Sequence, residues 1–334
     1  MQRLTTLFGL IVLTGMVPCL AQGPTRAAFT TEDGVNIVGS YYKPPGHTPR
    51  PAVILLHMYR SDRTAWEPLV EVLQRKALAV LAIDMRGHGQ SVQPTSMGLQ
   101  DKVMRRDGEL FRSTYRDVMA AYTWLSRQPN VDLSRLGVVG ASVGCSVAID
   151  YAARDRSVDA VVCMTPGEDY LGLDSRKHIA EFAKYGQRPT LLLATEGERK
   201  ACDVLGKIDE SATVRIVGRG KVHGTHMFGK IEGIEDQIAQ FLHKHLGTPS
   251  EKPVAAAVDG SEYFDVDSVM DISLESARRR LFSSPQEAEA RGLEQATGPE
   301  AMRTHDRHDR DVRPWPPIQP PPEGERKKRK KDQE

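Results

Sequence analysis

Apolar residues fall along this chain in short unbroken runs, separated by stretches with helical spacing. The runs are Ala52 to Leu56, Ala79 to Ile83, Leu136 to Val139, Ala160 to Cys163, Thr190 to Ala194 and Ala212 to Val217. A strand that is apolar throughout is buried on both sides. Alternation of such strands with helices predicts a mostly parallel sheet with helices on both faces. Two more strands, Ala27 to Thr31 and Val35 to Tyr42, flank a turn at Asp33-Gly34 and are expected at the start of the domain.

The intervening segments carry helix signals. Arg112 to Arg127 places Val118, Ala121, Tyr122 and Leu125 on one face, and Ile231 to Leu246 does the same with Ile234, Ile238, Phe241 and Leu242. Thr64 and Glu67 have capping-box spacing ahead of Pro68-Leu69-Val70. Asp132 caps a short turn leading to Arg135. These elements define an α/β domain over residues 24–247. The short interval between Cys163 and Thr190 leaves no room for a large cap domain, and Tyr170 to Tyr185 is expected to form at most a minor lid.

The two ends have a different character. Arg3, the apolar stretch Leu7 to Val17 and the small-residue end Cys19-Leu20-Ala21 read as an export signal, residues 1–21, cleaved after Ala21. The stretch is short for a membrane span. Pro18 before Cys19 argues against a lipidated cysteine, so the mature protein is expected to be periplasmic or extracellular. Residues 248–334 are polar, charged and proline-rich, with Pro320 to Pro322 and a basic run from Arg326 to Lys331. Such a composition cannot bury enough apolar surface to fold alone, so this part reads as a disordered tail. Its basic end suits weak contact with an anionic surface.

Over the whole chain of 334 residues the charges nearly cancel, at +1, which gives no reason to expect a nucleic-acid partner. The four cysteines are too few for a disulfide framework. Loss of Cys19 with the signal leaves three, which allows one bridge and one free thiol. Cys163, inside an apolar run, reads as a buried small residue.

The chemistry lies in Gly140-Ala141-Ser142-Val143-Gly144, between an apolar strand and a helix-like stretch, Ser146 to Arg154. A serine between glycines at a strand-to-helix turn has the form of a nucleophile elbow. Ser142 needs a base near neutral pH, which points to histidine. Of the ten histidines, His223 and His226 lie in the loop before the final helix, which can reach back over the serine. His223, followed by Gly224, is the chosen base. The acid that orients it belongs in the loop after Thr190 to Ala194, where Glu196, Glu198 and Asp203 compete. Glu198 is the first choice and Asp203 the alternative acid. Backbone N–H groups for an oxyanion come from Val143 and from the loop after Leu56, at Met58 or Tyr59. No metal or organic cofactor is implied.

These parts together resemble the α/β-hydrolase superfamily from about Ala27 to Leu246. Leu55-Leu56-His57-Met58 is similar to its oxyanion strand end. Asp84-Met85-Arg86-Gly87-His88-Gly89-Gln90-Ser91 is similar to its Asp-x-Arg-Gly-His-Gly-x-Ser turn, and His223-Gly224-Thr225 to its histidine loop. The resemblance implies a structural role for Arg86 to Gly89, which removes His88 from the catalytic candidates. Within the superfamily the chain looks closest to the dienelactone-hydrolase-like branch, through its compact size and Thr165-Pro166-Gly167-Glu168-Asp169-Tyr170. It departs from that branch in holding serine where dienelactone hydrolases hold cysteine, and glutamate at the acid position. The expected function is an exported serine carboxylesterase acting on a small-molecule ester. A peptidase or thioesterase would use the same parts, and a non-catalytic binding protein could use the same scaffold.

Overall fold

The computed structural model describes residues 23–184 and 188–247. The expected signal segment 1–21 and tail 248–334 lie outside the described residues. Strands β1 (Thr25–Thr30) and β2 (Asn36–Tyr42) pair antiparallel around the Asp33-Gly34 turn. There follow β3 (Arg50–Leu56), α1 (Glu67–Arg75), β4 (Ala79–Asp84), the short helices α2 (Leu99–Met104) and α3 (Gly108–Arg112), and α4 (Tyr115–Leu125). Next come β5 (Val131–Ala141), α5 (Val143–Arg154), β6 (Val158–Met164) and a two-residue hairpin, β7 (Asp169–Tyr170) with β8 (Leu173–Asp174). The described residues end with α6 (Ser175–Lys184), β9 (Thr190–Ala194), α7 (Lys200–Ile208), β10 (Thr213–Ile216) and α8 (Ile234–Leu246).

Eight strands form one sheet in the order β1-β2-β4-β3-β5-β6-β9-β10. From β4 to β10 the neighbours run parallel, and only β2 turns against β4. The apolar runs in β3, β4, β5, β6 and β9 are therefore strands sealed on both sides, because alternate residues must face opposite helix layers. In contrast β10, at the edge of the sheet, leaves Thr213, Val214 and Arg215 exposed, so the expected burial of Ala212 to Val217 does not hold. Val53, Leu55, Val80, Ala82 and Val139 face α1 and α8, whose Leu69, Leu73, Ile238 and Leu242 are fully buried against them. Burying each such side chain stabilises the fold by roughly 1.5–3 kcal/mol. Helices α4, α5, α6 and α7 pack side by side over the other face.

Three local expectations change. The turn before α1 is capped by Asp62, whose carboxylate accepts the Thr64 amide, so the Thr64–Glu67 capping box does not form. The competing cap won because a 3-10 turn, Arg63–Trp66, precedes the helix and moves its first residue to Glu67. Tyr170 to Lys184 is no lid. Its helix α6 lies in the layer against α5 and α7, with Ile179 and Phe182 buried and Ser175 Oγ donating to Ser146 Oγ at 2.8 Å. Finally, Cys145, Cys163 and Cys202 are all buried and unbridged.

Candidate active site

Parallel sheets place their functional loops at the carboxyl ends of the strands, where the strand order reverses. Here the reversal falls between β3 and β5, and Ser142 follows β5. Ser142 takes φ 54° and ψ −118°, a conformation that side chains rarely adopt, and heads α5 as its N-cap. Its N–H donates to Met164 O at 3.0 Å, and its carbonyl accepts the Cys145 N–H at 3.0 Å. The turn has room only for hydrogen at its two flanks. A Cβ on Gly140 would collide with the backbone of Gly144, and one on Gly144 with the Leu56 carbonyl. The first N–H groups of α5, beginning with Val143, have no partner inside the helix and favour negative charge beside Ser142.

The loop after β3 comes next to this helix end. His57 is fully buried there, and burial pulls its pKa down to about 4, so the ring is neutral. The Met85 amide donates to its Nε2 at 3.0 Å. The proton therefore sits on Nδ1, which donates to Met58 O at 2.7 Å. The same carbonyl accepts the Ser61 N–H at 3.1 Å. His57 thus fixes the loop that carries Met58 and Tyr59. Their own N–H groups meet no backbone acceptor among the described residues, leaving both Met58 and Tyr59 as candidate donors to an oxyanion.

The remaining groups come from the ends of β9 and β10. Glu198 closes a short 3-10 turn, Glu196–Glu198. That turn is stitched to the following loop by Glu196 N–H to Gly218 O and Gly197 N–H to Gly220 O, both at 2.8 Å. The stitching brings Glu198 Oε2 to 3.3 Å from His223 Nδ1. Asp203 instead lies on the exposed side of α7, where Arg199 Nε donates to it at 2.8 Å. His226 is exposed on the 3-10 turn Gly224–Met227. Gly224 rests on the elbow: a Cβ built on it would stand 3.4 Å from that of Ala141 and would overlap the Met58 side chain. The structure therefore gathers Met58, Ser142, Val143, Glu198 and His223 at the carboxyl ends of the strands and leaves Asp203 aside. Ser142 Oγ and the His223 ring make no direct hydrogen bond in this geometry. Such bonds commonly close only around the substrate.

The turn after β4 is a structural brace. Asp84 accepts the amides of Arg63 and Gln90, each at 2.8 Å, and pairs with the Arg63 guanidinium. Arg86 bridges Asp117 and Asp33. Burial and the neighbouring His57 ring, 4.9 Å away, pull the His88 pKa down to about 3, which suits packing and not proton transfer at neutral pH. A cleft of about 500 Å³ borders this brace, lined by Asp33, Arg86, Lys102 and Arg116, and it holds none of the residues gathered around Ser142. Among the described residues no group of three or more His, Cys, Asp or Glu is placed to hold a metal ion.

Sequence reasoning passed over two buried threonines, Thr165 and Thr195, each placed directly after the last residue of a strand. A hydroxyl at the end of an apolar run was the available signal. Likewise, the position of His57 at the end of β3 gave no hint that its ring would hold the next peptide.

The family model for acetyl xylan esterases matches residues 25–176. An uncharacterised protein of Mycobacterium tuberculosis is 31% identical over 137 residues, which are 41% of this chain and 43% of that protein. The thiohydrolase aneE of Aspergillus aculeatus is 23% identical over 219 residues, 65% of each chain. The matches therefore span less than two thirds of these relatives. Among solved structures, an esterase of Pyrococcus furiosus superposes with a TM-score of 0.53 at 20% identity, covering 67% of this chain and 91% of that one. A 2,6-dihydroxy-pseudo-oxynicotine hydrolase superposes with a TM-score of 0.54 at 16% identity, covering 68% and 70%. These likenesses establish a shared fold.

Proposed function

We propose that this chain is a hydrolase of the α/β-hydrolase superfamily and a serine esterase for small acyl esters, a reading supported by the acetyl xylan esterase match and the shared fold. The observation that carries the reading is Ser142 at positive φ on the N-terminus of α5, with the Glu198–His223 pair in the loops beside it. In the proposed reaction His223 Nε2 takes the Ser142 proton as Oγ attacks the acyl carbon. Glu198 holds the Nδ1 proton and offsets the charge of the imidazolium. The oxyanion is met by N–H groups of Val143 and of Met58 or Tyr59. His223 then gives its proton to the leaving alcohol. Water, deprotonated by the same ring, releases the acid from Ser142.

An acetyl or similarly small acyl group is the proposed substrate class, on the strength of the acetyl xylan esterase match over β1 to the start of α6. The similarity to a thiohydrolase favours a thioester as the second reading. Turnover of p-nitrophenyl acetate against an acetyl thioester separates the two. The serine mechanism itself predicts fluorophosphonate labelling that disappears in Ser142→Ala. Folded wild-type protein that neither labels nor hydrolyses either acetate would instead support a binding role on this scaffold. Export, proposed from residues 1–21, is checked by fractionating cells and reading the N-terminus of the mature protein. The proposed contact of the basic tail with anionic surfaces is checked by vesicle sedimentation of the full chain beside one ending at residue 248.

A further inference from the structure

His223 is held by the backbone on both of its sides. The amide before it, of Val222, donates to Thr195 Oγ1 at 3.1 Å. The amide after it, of Gly224, donates to Thr165 Oγ1 at 2.8 Å. The two threonines follow β6 and β9, which are neighbours in the sheet, and their side chains are buried. Thr165 is itself fastened across that pair, its N–H donating to Leu193 O at 2.7 Å.

The Thr165 hydroxyl faces two ways. It accepts from Gly224 and donates to Met164 O at 2.8 Å. That same carbonyl accepts the Ser142 N–H at 3.0 Å. One hydroxyl therefore ties the peptide of the nucleophile to the peptide that follows the base. To make these bonds Thr165 adopts φ 52°. A β-branched side chain in the left-handed region is a costly backbone choice, kept only where the surroundings hold it.

The geometry points to Thr165 and Thr195 as positioning residues that bracket His223 and aim its ring at Ser142. This rests on the proposed role of His223 as the base. Their hydroxyls touch no substrate. They act by fixing the two peptides between which the imidazole swings, and small displacements of a reacting group cost large factors in rate.

The test uses Thr165→Val and Thr195→Val, each beside its serine variant, with p-nitrophenyl acetate as substrate. Rates are taken per Ser142 titrated with fluorophosphonate, so that misfolded protein does not count. Valine keeps the shape and removes the hydroxyl. Each valine variant is expected to lose about tenfold to a hundredfold in kcat, with KM within about twofold of wild type. Serine, which restores the hydroxyl, is expected to recover most of the loss. A purely structural role would lower the number of titratable sites and leave kcat per site unchanged, and that result overturns the proposal. So does a loss that serine fails to restore. If Thr165→Val does not fold, Thr195→Val, at an ordinary φ of −80°, decides the matter. Wild-type protein that neither labels nor turns over ester would sink the esterase reading first, and the bracket with it. Active wild type with unaffected valine variants would sink the bracket alone.

Discussion

Glu198 Oε2 lies 3.3 Å from Nδ1 of His223. Glu198 is held there by its own short turn, which is bonded to the histidine loop at Gly218 and Gly220. Glu198→Gln should therefore lower kcat for an ester by about a hundredfold or more, through loss of the orienting charge. Asp203→Asn breaks only an exposed, solvent-screened pair with Arg199, so it should leave turnover and stability alone. Steady-state kinetics of the two variants check this, and a reversed pattern would move the acid to Asp203.

The packed rings of His57 and His88 give the protein an acid limit. Their native pKa values, about 4 and about 3, lie below the ordinary value of 6.5. The unfolded chain thus binds more protons as pH falls below 6.5, and stability falls with it. Between pH 7 and pH 5 the two rings together remove roughly 4 kcal/mol. Asp117, pushed up to about 6 by burial, works the other way and returns about 1 kcal/mol. Asp84, also raised by burial, has the same sign as Asp117. A net fall of at most roughly 3 kcal/mol is expected, visible in urea unfolding at the two pH values. Stability that rises on acidification over this range would contradict the neutral state of the rings.

Gly144→Ala should be among the most damaging small changes. The added methyl meets the Leu56 carbonyl, a backbone atom in the middle of the sheet. A loss of at least about 2 kcal/mol, or failure to yield soluble protein, is expected. Circular dichroism through a thermal scan, beside the wild-type protein, gives the comparison.

Asp117 and Arg86 form a buried pair, with Arg86 donating to the carboxylate through both Nε and its backbone amide at 2.8 Å. Asp117→Ala removes the fully buried partner and leaves the guanidinium only Asp33 and Ser113, which should cost about 3–5 kcal/mol. Asp33→Ala removes the partner on the outer, partly exposed side and should cost less. Unfolding free energies in denaturant rank the two.

The sheet was legible because its central strands are buried on both faces, so each left an unbroken apolar run such as Leu136 to Val139, whereas the edge strands β1 and β10 are largely exposed. The elbow was legible because steric limits put glycine at 140 and 144. Those positions are close in sequence, and so is the evidence they leave. Other contacts join distant segments and leave no local trace. Thr165 meets Gly224 across 59 residues, and Thr195 meets Val222 across 27. The cap of the turn before α1 was misread for a different reason. Asp62 and Thr64 both suit an N-cap, and the choice depends on whether a 3-10 turn precedes the helix. The lid expectation failed because a short segment between two strands that pair side by side must cross over the sheet, which puts α6 in the helix layer.

Cys145, Cys163 and Cys202 lie under the elbow and the helices beside it, and burial raises the pKa of Cys145 and Cys202, the latter to about 12. Sulfur sealed in this way cannot meet a water-borne alkylating reagent until the layer parts. The chain thus carries a built-in gauge of its own breathing. The pace at which a maleimide consumes these thiols would report how often the floor beneath Ser142 opens, with no cysteine introduced by mutation.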